Sequence, residues 1–195
     1  MLEPYENSPF IREIRQLEVE HELRPEAVCA IEVSLLDGRK DFFVSCEQPT
    51  EVKVEGGLYF HGLTGLVRQD QNGIQQVRMV GGTRLTDGTV NLETGVGILR
   101  GTVTGVDVSD QENNLVYLDL QRPMDNSLVG RTIHFHNDLP LDTSYKIKGI
   151  RDGAVSTGDI TVVKGFKNSN DYDSGHSYLV NRGDEFTIPL VSTLR

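Results

Sequence analysis

The chain has 195 residues, a formal net charge of −10, 37% hydrophobic residues and 25% charged ones. This acidic balance excludes the basic stripe that nucleic-acid binding needs, and no apolar run approaches the roughly 20 residues of a membrane-spanning helix. A chain of this size buries enough surface to fold without a metal or a disulfide, and no metal and no cofactor are expected.

The N-terminal MLEPYENSPF is acidic and lacks the apolar centre of a signal peptide. A chain that naturally starts at Met1 is therefore expected in the cytoplasm. As part of a longer exported protein it would be periplasmic or secreted. Pro9 to Glu20 carries Phe10, Ile14 and Leu17 at helical spacing, but Ile11, Val19 and the charge alternation of Arg12, Glu13 and Arg15 favour a strand.

Ala27 to Cys46 reads as a hairpin. AVCAIEVSLL and RKDFFVSC flank Asp37-Gly38, a dipeptide suited to a two-residue type I′ turn. That turn pairs Val33 with Phe42, Ile31 with Val44 and Cys29 with Cys46, all on the core face. Such alternate pairs are non-hydrogen-bonded and bring their side chains closest. Two readings stay open for Cys29 and Cys46: a cross-strand disulfide in an exported protein, or two buried thiols acting as small hydrophobes.

Short strands are predicted at Val52–Val54, Leu58–Val67, Ile74–Val80 and Thr89–Leu92, with turns at Gly56-Gly57 and Asn72-Gly73. Gly62 and Gly65 suggest a bend within the second of these. Gly95, Gly97 and Gly101 mark a boundary, giving an antiparallel β-sandwich portion over 1–97 and a small β-module over 98–195. The module alternates over Thr102–Val108, Leu115–Leu120, Thr132–His136 and Tyr145–Ile150, then Ile160–Phe166, Ser177–Val180 and Glu185–Leu190. The fold class is all-β: an antiparallel β-sandwich followed by a small β-module.

Few residues point to chemistry. His134, His136 and Asp138 fall on one face of a strand, a set that could ligate Zn²⁺ or form a solvated face. The loop Asn168–Gly175 is rich in oxygen donors but lacks the glycine and closing glutamate of a calcium loop, so a plain turn competes with cation binding. Arg182-Gly183-Asp184 spells an adhesion tripeptide and equally serves to turn the chain into a strand. No nucleophile elbow, dinucleotide fingerprint or P-loop is present. With no Trp, a sugar platform must come from tyrosines: Tyr59, Tyr117, Tyr145, Tyr172 or Tyr178. Tyr117 and Tyr145, together with His134 and His136, are the candidate carbohydrate contacts. No catalytic residue is singled out.

Several stretches together resemble the C-terminal β-region of heparinase II/III-like polysaccharide lyases. They are LEPYENSPFIREIRQL, the AVCAIEVSLLDGRKDFFVSC hairpin, VEGGLYFHGLTGLVRQDQNGIQQVRMVGGTRL, the VTGVD…LVGRTIHFHND…SYKIKGI module, and the closing GDITVVKGF…NDYDSGHSYLVNRGDEFTIPL. The resemblance implies a large antiparallel sandwich that follows a helical toroid in enzymes cleaving uronate polysaccharides by β-elimination. The catalytic groups of that family come largely from the toroid and the earlier sandwich, so no catalytic residue carries over, and the isolated chain is expected to be inactive. The expected role is non-catalytic: support of the catalytic domain and of the substrate cleft, in polysaccharide degradation. The partners so implied are a polysaccharide or the missing helical catalytic domain, with self-association through an unpaired sheet edge. A free-standing carbohydrate-binding or protein-interaction β-module is the alternative.

Overall fold

The computed structural model describes residues 9–110, 113–120, 122–136, 143–158, 163–166, 176–178 and 180–194. Over these the chain is all-β and antiparallel, with single 3₁₀ turns at Pro25–Ala27 and Asn126–Leu128 and no α-helix among the described residues. It divides into two units, Met1–Ile98 with Leu190–Arg195, and Leu99–Pro189.

The first unit is built around one long hairpin, β4 (Lys40–Val54) and β5 (Leu58–Asp70), joined across Gly56 and Gly57, both at positive φ. The other strands are β1 (Ile11–Gln16), β2 (Val19–Glu20), β3 (Val28–Leu35), β6 (Gly73–Val80), β7 (Arg84–Thr86), β8 (Asn91–Glu93) and the chain's last strand, β18 (Val191–Leu194). The main ladder runs β1-β3-β4-β5-β6-β18. Beyond a register break between Ser45 and Thr50, the far half of the hairpin takes β2 on one side and β7, then β8, on the other. The sheet therefore curls, and both halves feed one core: Val44, Val67 and Val77 from the near half, Val52, Phe60 and Leu85 from the far half. Phe60, Leu85 and Val52 are fully buried.

Two sequence expectations are corrected here. The Asp37-Gly38 hairpin closes with three loop residues, because Leu35 and Arg39 form the last bonded pair and Gly38 takes φ +88°. Asp37 accepts the Arg39 amide at 3.1 Å and stays out of the left-handed region. The extra residue shifts the register by one, so Cys29 lies opposite Ser45 and Val28 opposite Cys46. A one-residue shift exchanges the two faces of a strand. Val28, Ala30, Val44 and Cys46 are buried, whereas Cys29 is exposed and both thiols are free. The two cysteines point to opposite sides of the sheet, which rules out the expected pairing. The second correction concerns Val52–Val54, which is the continuation of β4. Its polar Glu47-Gln48-Pro49 run is accommodated at the register break, where a proline needs no ladder bond.

Three glycines let backbones cross at close quarters. A Cβ on Gly62 would lie 2.5 Å from the Gly82 Cα, and one on Gly97 would lie 2.7 Å from the Gly82 carbonyl carbon.

In the second unit the strands are β9 (Ile98–Asp107), β10 (Asn114–Leu120), β11 (Thr132–His136), β12 (Thr143–Lys146), β13 (Gly149–Arg151), β14 (Ala154–Gly158), β15 (Val163–Phe166), β16 (His176–Tyr178) and β17 (Glu185–Pro189). Seven of them form a sheet in the order β12-β11-β17-β9-β10-β14-β13, and β15 pairs with β16 apart from it. Ile133, Phe135, Phe186 and Ile188 are buried on one side of this sheet. Here an Asp-Gly pair does make the two-residue turn: Asp152 (φ 51°) and Gly153 (φ 74°) join β13 to β14, with Arg151 opposite Ala154. From Leu190 the chain is back in the first unit, where β18 pairs with β6.

Candidate functional site

The far half of the first unit's sheet has an apolar inner face and a polar outer one. Alternation along β4 and β5 sends Val52, Val54, Leu58 and Phe60 inward. It sends Glu51, Lys53, Tyr59 and His61 outward. The register lines these up across the strands: Glu20 beside Lys53 beside Tyr59 beside Thr86, and Glu51 beside His61 beside Arg84 beside Glu93. Pro49 and Thr50, at the register break in β4, also line this face. The result is an open groove of about 560 Å³.

Its side chains are held in place. The Arg84 guanidinium carbon sits 4.9 Å from the centre of the Tyr59 ring, and Arg84 also pairs with Glu93 at 3.3 Å. Partial burial and the neighbouring Glu51 carboxylate raise the Tyr59 phenol above its ordinary pKa, against the opposing field of Arg84. Tyr59 is therefore a neutral donor at pH 7. His61 Nδ1 lies 2.6 Å from the Thr83 hydroxyl. His21 lines the groove, and its Nδ1 is shielded from solvent with no hydrogen-bond partner among the described residues. Lys53 Nζ lies 3.5 Å from Glu20. An aromatic face ringed by carboxylates, imidazoles and one ammonium can hold a polyhydroxylated ligand by stacking and hydrogen bonds. Among the described residues, no group of three His, Cys, Asp or Glu is placed to hold a metal ion.

The second unit does not gather the four residues singled out from the sequence. His134 and His136 share the open face of β11, alternating with the buried Ile133 and Phe135. His134 Nδ1 lies 2.7 Å from the Ser144 hydroxyl, and His136 Nε2 lies 3.0 Å from the Thr187 hydroxyl. Tyr145 is opposite Ile133 and packs at 6.1 Å, centre to centre, against Phe135, so it belongs to the other face. Tyr117 lies over Gly105 on β10. Strands β17 and β9 intervene between β10 and β11, a separation of about 14 Å at ordinary strand spacing. Asp138, Tyr172 and the Asn168–Gly175 loop fall outside the described residues, and the Tyr178 side chain is likewise undescribed. The Arg182-Gly183-Asp184 tripeptide is bonded into β9: the Gly183 amide donates to the Val103 carbonyl and the Val103 amide to the Asp184 carbonyl, each at 2.8 Å.

Tyr59 was legible as one of several strand tyrosines. Its partners Glu51, His61 and Arg84 were not, although the period-two pattern of EVKV and LYFH already sets Glu51, Tyr59 and His61 outward. Comparison of the chain with protein-family models, with curated proteins and with solved structures finds no match.

Proposed function

We propose that the chain is the non-catalytic β-sandwich portion of a uronate polysaccharide lyase of the heparinase II/III-like kind, and that the groove on its first unit is a glycan contact. The observation that carries this reading is the braced tyrosine. Tyr59 carries the Arg84 guanidinium against its ring, at an open groove lined with hydrogen-bonding groups. A sugar ring needs such a pairing: an aromatic face for its C–H surface and polar groups for its hydroxyls. The chain-long resemblance and the all-β architecture agree with it. The test is affinity electrophoresis in gels cast with a panel of neutral, amino-sugar and uronate polysaccharides. The chain is expected to be retarded in at least one gel, and Tyr59→Ala to run freely in it. Free migration of the native chain in every gel removes the reading. Eliminase activity, read at 235 nm as unsaturated uronate, is expected to stay at blank.

A second reading, a protein-interaction module, is favoured by the other outer face of the same sheet. Ile31, Phe43 and Leu66 lie side by side across β3, β4 and β5, with Val33 and Ile14 adjoining. Phe43 and Ile14 are 36% and 40% exposed, an apolar strip of the kind that marks association surfaces. Sedimentation velocity tests the self-association arm: concentration-dependent growth abolished by Phe43→Lys supports it, and a monomer at all concentrations opposes it.

A further inference from the structure

We infer, whatever the groove binds, that the second unit is a guest inserted into a host that folds without it, and that β18 is the clasp closing the host once the chain has left the guest. The host is the discontinuous unit, Met1–Ile98 with Leu190–Arg195, and the guest is the single stretch Leu99–Pro189. The host's two ends meet at one residue. The Leu190 amide donates to the Gly97 carbonyl at 2.8 Å, and the Leu190 carbonyl accepts from the Gly81 amide at 2.9 Å. In the guest, β9 at its start and β17 at its end are neighbouring strands, so a folded guest holds its own ends together. To the host it is a loop whose ends already touch, and closing a loop costs little more as the loop grows. The cores are separate. The host core is drawn from Leu17 to Leu92 and, among the described residues, takes nothing from the guest. The guest buries Ile133, Phe135, Phe186 and Ile188. A body with its own core opens as its own cooperative unit. Although β18 follows β17 almost directly in the chain, its ladder is with β6. It therefore stands or falls with the host. The chain thus has two bodies that open separately, and the guest can unfold while the host sheet and its groove persist.

The test is hydrogen–deuterium exchange of the full chain along a urea series, for the native sequence, for Phe60→Ala in the host and for Phe135→Ala in the guest. Phe135→Ala is expected to lower the urea midpoint of β9, β10, β11 and β17 by about 1 M or more and to leave β4, β5, β6 and β18 where they were. Phe60→Ala is expected to do the reverse. The amides of Val191–Leu194 decide the clasp, because they come so soon after β17 in the chain. Loss of their protection in step with β6, under both variants, supports it; loss in step with β17 overturns it. A single transition that moves as a whole under either variant overturns the separation of the two bodies. Should Phe135→Ala leave the guest unfolded in buffer, the comparison is read without urea. Native protection of β4, β5, β6 and β18 then supports a self-sufficient host, and loss of that protection overturns it.

Discussion

Arg84 lies over the ring of Tyr59 at 4.9 Å from its centre. The two residues lie on adjacent strands, offset by two residues, since Arg84 is opposite His61 and Tyr59 is opposite Thr86. The contact therefore covers one face of the tyrosine ring, while Tyr59 still lines the groove. A cation–π contact at such an exposed site contributes about 0.5–1 kcal/mol, so Arg84→Ala is expected to weaken glycan binding by roughly two- to fivefold. Tyr59→Phe, which keeps the ring and loses the hydroxyl, is expected to retain more binding than Tyr59→Ala. Isothermal titration of the three variants checks the order.

Glu32 gives the fold an acid-sensitive contact. The Lys40 ammonium, 2.7 Å away, holds its carboxyl below the ordinary glutamate range, with Ser34 and Arg15 adding to the effect and burial opposing it. A carboxylate with a depressed folded-state pKa contributes stability above its unfolded pKa and loses it as pH falls through the folded value. Glu32→Gln is expected to cost roughly 1–2 kcal/mol at pH 7, given the half-exposed partners. The gap to the native chain should close as pH drops below the ordinary glutamate value. Urea unfolding at pH 7 and pH 3 measures both.

The thiols should differ sharply in reactivity. Burial raises Cys46 to about 11, whereas Cys29 is exposed. Because the thiolate is the nucleophile, native protein treated with iodoacetamide at pH 8 is expected to give one rapid adduct, at Cys29. The second should appear only on denaturation. A preparation with no free thiol would contradict the observed register.

Gly82 tests the backbone crossing. A Cβ there would lie 2.5 Å from the His61 carbonyl oxygen, and neither of these backbones can yield cheaply. Gly82→Ala is expected to destabilise the chain by about 1–3 kcal/mol, the usual cost of overpacking. Because His61 faces the groove, glycan affinity should fall along with the midpoint of unfolding. Gly95→Ala, at a position that like Gly82 has no positive φ but has open space around it, separates this crowding from the mere loss of a glycine.

The all-β character was legible because the apolar runs are short and glycine-punctuated. The faces of the first hairpin were not, for a physical reason. Val28, Cys29, Ala30 and Ile31 are apolar in succession, and the polar Glu32 and Ser34 lie on the very side of β3 that buries Val28 and Ala30, so alternation does not mark the core face. The choice then rested on Asp37-Gly38 alone, and an Asp-Gly pair closes either a two-residue or a three-residue loop. The chain uses the first at Asp152-Gly153 and the second at Asp37-Gly38. Three strands escaped notice, among them the terminal Val191–Leu194, which follows β17 directly. Arg84–Thr86 is three residues long, and Ala154–Gly158 is buried throughout and shows no alternation. The groove was hidden because its residues come from three separate stretches that only the curled β4–β5 hairpin brings together, whereas the sequence drew attention to His134, His136, Tyr117 and Tyr145, which the second unit does not gather at one place.

Hydrogen–deuterium exchange with and without the retained glycan tests the central claim most directly. The account predicts slowed exchange in Glu51–Lys53, Tyr59–His61 and Arg84–Thr86, with β10 and β11 unchanged. Protection confined to the face carrying His134, His136 or Tyr117, with the groove strands unaffected, would contradict it.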